Sequence, residues 1–315
     1  MSKIYEALLR AEMDRVASIA GRPDALPPTT TPPDAQSGLR LEIARPAPQS
    51  TPQSDYQPLA ATVAPSLEFA QIRQVVWSPS LHQLPAVEER GSAVEQFRSL
   101  RSRMREFRDL NPLKSVLVSS GLPQEGKSFI AANLAISFAR HKANRVLLID
   151  GDMRRSSLHK LLGAPSEPGL TEYLSGISTL AEVMQRMAPK PDGSPLPSGL
   201  GSLTFIPGGA DADNAADLSG SVRFQELIAT ASPFFDWIVV DSSPVNLVAD
   251  GVNLARACDG VLLITRGGVT RYETAQRALV ELKASKLLGC VLNAVPNPPT
   301  TGGYYGYDHY DKVNE

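Results

Sequence analysis

Two cysteines in 315 residues, Cys258 and Cys290, are too few for a disulfide framework. Both lie inside apolar runs rather than at metal-ligand spacing, the pattern of packed, reduced thiols in a cytosolic protein. The four histidines are scattered, which leaves a zinc-type centre without support. An excess of charge of one sign is also missing. The formal net charge is -2, so the overall balance calls for neither nucleic acid nor an anionic membrane surface as partner. No run approaches the ~18 consecutive apolar residues of a bilayer span. The N-terminus lacks the apolar core of a signal peptide, because Glu6, Arg10, Glu12 and Arg15 interrupt it. These absences predict a soluble, cytoplasmic protein that reaches a membrane only through a partner.

What is present changes sharply along the chain. Over residues 3–19, Ile4, Tyr5, Leu8, Leu9, Met13 and Val16 share one face at helical spacing, with Glu12 interrupting it. Ten prolines then fall between Pro23 and Pro65 amid Thr, Ser, Gln and Ala. Such a stretch buries too little apolar surface to offset the entropy lost on ordering it. The expected organisation is a helix over 1–20 that docks on a partner or packs on its own domain, a disordered proline-rich linker over 21–88, an α/β domain over 89–296 and a flexible tail over 297–315. In the domain, a helix is predicted from Ser92 to Arg108. Short β-rich runs follow at Ser115–Ser119, Arg145–Ile149, Leu203–Ile206, Trp237–Val240, Val261–Thr265 and Val291–Val295. Helical patterns such as Ser128–Arg140 and Tyr272–Ala284 lie between most of them. Continuous apolar strands alternating with helices imply a mostly parallel sheet with helices on both faces. Residues 188–201, rich in proline and glycine, read as a surface insertion.

Gly121-Leu122-Pro123-Gln124-Glu125-Gly126-Lys127-Ser128 sits between the strand pattern Val116-Leu117-Val118 and the helix pattern Phe129-Ile130-Ala131-Ala132-Asn133-Leu134. The spacing Gly-x4-Gly-Lys-Ser in that context is a P-loop, so the predicted fold is P-loop NTPase-like. Its glycines let backbone amides turn inward around phosphates, and the helix N-terminus adds partial positive charge. Gly121, Gln124, Glu125, Gly126, Lys127, Ser128 and Phe129 are the candidate ATP-binding residues. Lys127 would reach the β- and γ-phosphates and the Ser128 hydroxyl would join a Mg²⁺ shell.

Two acidic motifs complete the pattern. Val146-Leu147-Leu148-Ile149-Asp150-Gly151-Asp152 ends a strand with two acids two residues apart, which alternation turns to one side. Trp237-Ile238-Val239-Val240-Asp241 ends a second apolar strand in an acid. Strand C-termini are where α/β folds place ligands. Ser128, Asp150 and Asp241 are the candidate Mg²⁺ ligands, direct or through water, and Asp152 is the candidate base. Lys127, Asp150, Asp152 and Asp241 together make the expected catalytic set.

At this point the chain resembles the bacterial tyrosine kinases that accompany exopolysaccharide and capsule synthesis, which use a P-loop in place of the eukaryotic kinase fold. The matching residues are Gly121–Ser128 as Walker A, Leu148–Arg154 as Walker A′ and Ile238–Pro244 as Walker B. Glu95-Gln96-Phe97-Arg98-Ser99-Leu100-Arg101 matches the family's Glu-x-x-Arg-x-x-Arg assembly motif, and Met1-Ser2-Lys3-Ile4-Tyr5-Glu6-Ala7-Leu8 is similar to the leader of one subgroup. The resemblance departs at Ser243-Pro244, where the family usually carries two prolines. It implies ATP-dependent autophosphorylation of a C-terminal tyrosine cluster, here Tyr304, Tyr305, Tyr307 and Tyr310. It also implies a homo-oligomeric ring held through Glu95, Arg98 and Arg101, and an adenine contact from Asn293. The implied partners are a membrane protein that controls polysaccharide chain length and activates the kinase, and a cognate tyrosine phosphatase. The implied location is the inner face of the plasma membrane.

The residues themselves support parts of this. Half of the eight tyrosines lie in the last twelve residues, whereas floppy tails are normally poor in aromatics. On the helix from Ser92, Val94, Phe97, Leu100, Met104 and Phe107 form a packing stripe, with Arg98, Arg101, Arg105 and Arg108 beside it. Arginines at helical spacing suit pairing with acids across a subunit boundary, or a solvated basic face. Two other functions remain compatible. A positioning-type ATPase switch would carry a second lysine where this chain has Leu122, and a nucleotide-gated scaffold would bind ATP without transferring phosphate.

Overall fold

Strand β2 (Ser115–Ser120) stands inside a single sheet, buried at all of its positions. The computed structural model describes residues 71–295. Seven more strands complete the sheet: β1 (Arg73–Val75), β3 (Val146–Asp150), β4 (Gln185–Met187), β5 (Leu203–Ile206), β6 (Trp237–Asp241), β7 (Gly260–Arg266) and β8 (Leu287–Asn293). Their spatial order is β1-β4-β5-β3-β6-β2-β7-β8. From β5 to β8 every pairing is parallel, while β4 runs antiparallel to β5 and carries β1 parallel to itself. The longer helices are α1 (Ser92–Leu110), α2 (Lys127–Ala139), α3 (Val222–Ala231) and α4 (Tyr272–Glu281).

Continuous Val/Leu/Ile runs are what a strand covered on both faces requires. One face packs against α2, whose residues Ile130–Ala139 are all buried. Such a helix is apolar all round because it is enclosed, and Ala131, Ala132, Ala135 and Ala139 keep it narrow. Phe138 of α2 stacks on Trp237 of β6 with ring centroids 4.0 Å apart. The opposite face takes Phe224 and Leu227 of α3 together with Leu254. Strand β2 lies between β6 and β7, and the chain leaves it toward β3 on one side and later fills β7 and β8 on the other. That reversal opens a crevice at the strand C-termini, where the predicted phosphate loop and acids converge.

The expected linker over 21–88 ends too late. Residues 73–75 form an edge strand, and Trp77, Leu84 and Ala86 are buried in the core. Trp77 meets Phe205 edge-on and donates to Gln185 Oε1 at 3.3 Å. Asn133, buried on α2, accepts from the Ala86 amide at 3.0 Å and donates to the Gln83 carbonyl at 3.1 Å. Composition hides this segment, since its sparse apolar residues find their partners far away in sequence. The domain therefore starts at or before residue 71. Strands β1 and β4 escape sequence reading because three residues show no period. The last strand is also earlier than expected, at Leu287–Asn293. On α1, Val94, Phe97 and Met104 are buried as predicted, but Phe107 is 38% exposed. The predicted N-terminal helix and the tyrosine tail lie outside the described residues.

Candidate active site

The loop from Gly121 to Lys127 is shaped by two left-handed residues, Gln124 at φ 62° and Gly126 at φ 94°. A side chain at Gly126 would be strained at its positive φ and would displace Asn293, since a Cβ there would lie 2.0 Å from Asn293 Nδ2. Asn293, at the end of β8, donates that nitrogen to the Glu125 carbonyl at 3.0 Å. The residue expected at adenine is thus first a brace of the loop. Arg266, at the end of β7, donates to the Gln124 carbonyl at 3.2 Å. The buried Glu125 carboxylate accepts from the Leu122 amide at 2.8 Å and from the Thr270 hydroxyl. Glu125 is a candidate ATP-binding residue in the sequence; its side chain ties the loop together. The first bond of α2 runs from the Ile130 amide to the Gly126 carbonyl, so the amides of Lys127, Ser128 and Phe129 have no intrahelical partner. Three free donors at a helix N-terminus, on a pre-shaped loop, suit an anion.

Lys127 and the three acids occupy the strand ends together. Lys127 Nζ lies 3.0 Å from Asp152 Oδ2 and 3.4 Å from Ser128 Oγ. Burial opposes its charge, yet Asp241, Asp152 and Asp150 hold its pKa above the ordinary lysine value. Gly151, between Asp150 and Asp152, donates its amide to the Asp241 carbonyl at 3.0 Å, and a Cβ there would lie 2.5 Å from that oxygen. The glycine lets the acidic turn close onto β6.

The carboxylates differ in what they touch. Asp150 Oδ2 accepts from Ser156 Oγ at 2.8 Å and from the Ser157 and Leu158 amides at 3.0 Å each. Burial nevertheless raises its pKa. One face of Asp150 is therefore committed to shaping the chain after β3, and only Oδ1, 3.3 Å from the Asp152 amide, faces lighter demand. Asp152 Oδ1 accepts from Ser243 Oγ at 3.0 Å and the Arg155 amide at 3.2 Å. A proline at 243 could not make that bond, so the family departure adds a donor to the proposed base. Asp241 is fully buried and neither carboxylate oxygen has a hydrogen-bond partner of good geometry. Burial pushes its pKa up to about 7, against the pull of Lys127 and the Ser128 hydroxyl. An orphaned buried carboxylate beside a serine hydroxyl fits a Mg²⁺ ion. Among the described residues, no three acidic, histidine or cysteine side chains form a ready-made metal cage. Magnesium commonly takes few protein ligands and completes its shell with water and substrate phosphate.

Sequence reasoning missed Asp250, which is buried and holds Arg154 with Nε–Oδ2 at 2.7 Å and Nη2–Oδ1 at 3.4 Å. The arginine two residues past Asp152 was visible, but nothing local marked its partner 96 positions away. It also missed Ser156 and Thr270, and it noted Ser243 only as a departure from the family; these hydroxyls are ordinary until the fold brings carboxylates to them. The assembly-motif residues lie on α1, away from these strand ends. Arg98 pairs with Glu95 within the helix. Arg101 is drawn inward, donating to the Ser137 carbonyl at the far end of α2 at 2.7 Å. The two cysteines are free thiols, and burial pushes the pKa of each upward.

The chain is similar to known proteins in sequence and fold. The chain is 33% identical over 216 residues to the tyrosine-protein kinase YwqD of Bacillus subtilis, covering 67% of this chain and 86% of that one. It is 32% identical over 223 residues to the tyrosine-protein kinase wzc of Salmonella typhimurium; that alignment takes in 70% of this chain but spans only 29% of the longer relative. Among solved structures, the kinase domain of the Escherichia coli tyrosine kinase ETK superposes with a TM-score of 0.62 at 28% identity, over 71% of this chain and 84% of that domain. No profile of a known protein family matches the chain.

Proposed function

This chain belongs to the family of bacterial tyrosine kinases, and on that premise we propose that it transfers the γ-phosphoryl group of ATP to its own C-terminal tyrosines, Tyr304, Tyr305, Tyr307 and Tyr310. The observation that carries the reading is the orphaned Asp241 carboxylate beside Lys127, Ser128 and Asp152 at the mouth of a braced P-loop. In the reaction a tyrosine oxygen bonds to the γ-phosphorus, the bond to the ADP oxygen breaks, and the phenolic proton leaves. Such transfer demands mostly positioning and charge neutralisation. Lys127 and the amides of Lys127, Ser128 and Phe129 hold the phosphates. Asp152 takes the proton, oriented by the Ser243 hydroxyl and the Arg155 amide. Ser128 and Asp241 would hold Mg²⁺, with Asp150 through its less committed oxygen, and the ion would neutralise charge on the phosphate oxygens. Asn293 supports the loop and offers its amide oxygen to the base.

In this reading the kinase assembles with copies of itself through Glu95, Arg98 and Arg101, so that one tail enters a neighbouring site. A membrane protein of polysaccharide chain-length control activates it at the inner membrane face, and a tyrosine phosphatase resets it. Phosphate on adjacent tyrosines repels Asp308 and Asp311 and weakens re-entry of the tail. No helix among the described residues is long and apolar enough to cross a membrane.

The test is incubation of the full chain with Mg-ATP, followed by phosphotyrosine detection and mass mapping. Changing the four tail tyrosines together to Phe should remove most incorporation while ATP still binds. Undiminished labelling at Tyr173 or Tyr272 would sink the tail assignment.

A further inference from the structure

The chain that follows the acidic motif folds back onto it. Past Asp152 it turns, with the Arg155 amide bonded to the Asp152 carbonyl at 3.1 Å, and enters a short helix, Leu158–Leu162. Leu158 and Leu162 are buried and seat this helix in the core. The His159 carbonyl accepts from the Ala164 amide at 2.9 Å. Packing on one side and the helix end on the other thus fix the place of His159, which is half-buried.

His159 Nδ1 lies 3.1 Å from Ser156 Oγ, and Ser156 Oγ lies 2.8 Å from Asp150 Oδ2. The serine has little room to turn away. Gly208, on the loop after β5, passes so close that a Cβ there would lie 2.7 Å from Ser156 Cβ and 2.8 Å from its Oγ. Thr171 pins Gly208 in turn, its amide and hydroxyl both donating to the Gly208 carbonyl at 3.0 and 2.9 Å. A serine hydroxyl has one proton to give. Asp150 is fully buried, and a buried carboxylate deprived of a donor is costly. The Ser156 proton therefore goes to Asp150, and a serine lone pair faces the imidazole, which calls for a proton on Nδ1. The order is Nδ1–H to Ser156 Oγ, then Ser156 O–H to Asp150 Oδ2. It holds whether or not the ring carries a second proton. A hydroxyl that accepts one hydrogen bond donates a stronger one.

We propose that His159 is a positioning residue for Mg²⁺ binding: through Ser156 it holds Asp150 by Oδ2 and so keeps Oδ1 free for the ion. The inference rests on the assignment of Asp150 to Mg²⁺ made above. Oδ2 takes the Ser156 hydroxyl together with the Ser157 and Leu158 amides. The two amides come from consecutive residues, so the hydroxyl is the donor that arrives from a side chain and can be lost without moving the backbone. Without it the carboxylate is freer to rotate about its own bond. Carboxylates that ligate metals are commonly oriented by such outer hydrogen bonds. The four histidines form no metal-ligand pattern in the sequence, yet one of them stands a single hydroxyl away from a candidate ligand.

The experiment is calorimetric titration of the full chain with ADP, once with excess Mg²⁺ and once with a chelator in its place. The ratio of the two affinities is the gain due to the ion, and no phosphoryl transfer enters it. His159→Leu should cut that gain roughly tenfold, the scale of a lost outer-shell partner, and leave the affinity in chelator unchanged. His159→Asn, whose side-chain amide can donate from close to the place of Nδ1, should keep most of the gain. Ser156→Ala should lose at least as much as His159→Leu. The two changes combined should lose no more than Ser156→Ala alone, because the histidine acts only through the serine. Asp150→Asn should lose most of the gain. Three results overturn the proposal: a His159→Leu gain equal to wild type, an equal fall with Mg²⁺ and with chelator, which is a merely structural effect, or losses that add in the double variant. Asp150→Asn tells which reading has failed. If it loses the gain while His159→Leu keeps it, the histidine alone is wrong; if it keeps the full gain, the assignment of Asp150 to Mg²⁺ falls and takes this inference with it.

Discussion

Lys127 Nζ and Asp152 Oδ2 lie 3.0 Å apart, with only 13% and 6% of their side chains exposed. The lysine comes from the first turn of α2 and the acid from the turn after β3, so the pair ties the phosphate loop to the acidic motif. The lysine predicted to reach phosphate is therefore also a structural counter-ion for three buried acids.

Lys127→Met should abolish phosphotyrosine formation. It should also lower stability at about pH 8 by about 3 kcal/mol, the low end for a buried pair that loses one partner. Asp152 retains the Ser243 and Arg155 donors, which limits the loss. Phosphotyrosine blotting and denaturant melts read the two effects separately. Wild-type autophosphorylation by this variant would show that the active site lies elsewhere.

Asp241 supplies a pH-dependent test. Its carboxyl is raised from 3.8 to about 7, so between those values the folded chain holds a proton that the unfolded chain has lost. The stability this contributes is full below the unfolded pKa and disappears as pH rises through the folded one. Asp241→Asn should therefore melt higher than wild type at about pH 8 and nearly level with it at about pH 4, while losing phosphotransfer. In wild type, Mg-nucleotide affinity should strengthen as pH rises through about 7, because the ion needs the deprotonated carboxylate. Melting curves that stay parallel between the two proteins across this range would reject the buried, orphaned state of Asp241.

The assembly surface is tested best without touching Arg101, which holds the end of α2. Glu95 and Arg98 are 37% and 36% exposed as a pair within one helix, and such pairs add little to folding. Glu95→Ala with Arg98→Ala should leave the melting temperature within a few degrees of wild type. If these charges meet a neighbouring subunit, the variant should form smaller particles in light scattering and phosphorylate a Lys127→Met substrate chain poorly. An unchanged particle mass would return them to a solvated face.

The P-loop, the alternation of buried strands with helices, and the acids at the ends of β3 and β6 were all legible in the chain. Each is written in neighbouring residues, where apolar runs, glycine spacing and strand ends follow from local backbone geometry. What the loop rests on was not legible. Glu125 finds Thr270, and its carbonyl finds Asn293, 168 positions away; Ser243 finds Asp152 across 91. Side-chain hydroxyls and amides carry no local sign of such partners, because packing chooses them. The same holds for residues 71–88, which resemble linker until α2 and β5 cover their apolar side chains. Tertiary structure alone also separated three similar aspartates, tying Asp150 to amides, Asp152 to lysine and serine, and leaving Asp241 buried near Lys127 and Ser128 with no well-aligned hydrogen bond. It likewise confined the Ser156 hydroxyl between His159 and Asp150, since only the loop after β5 brings Gly208 close enough to hold that side chain there.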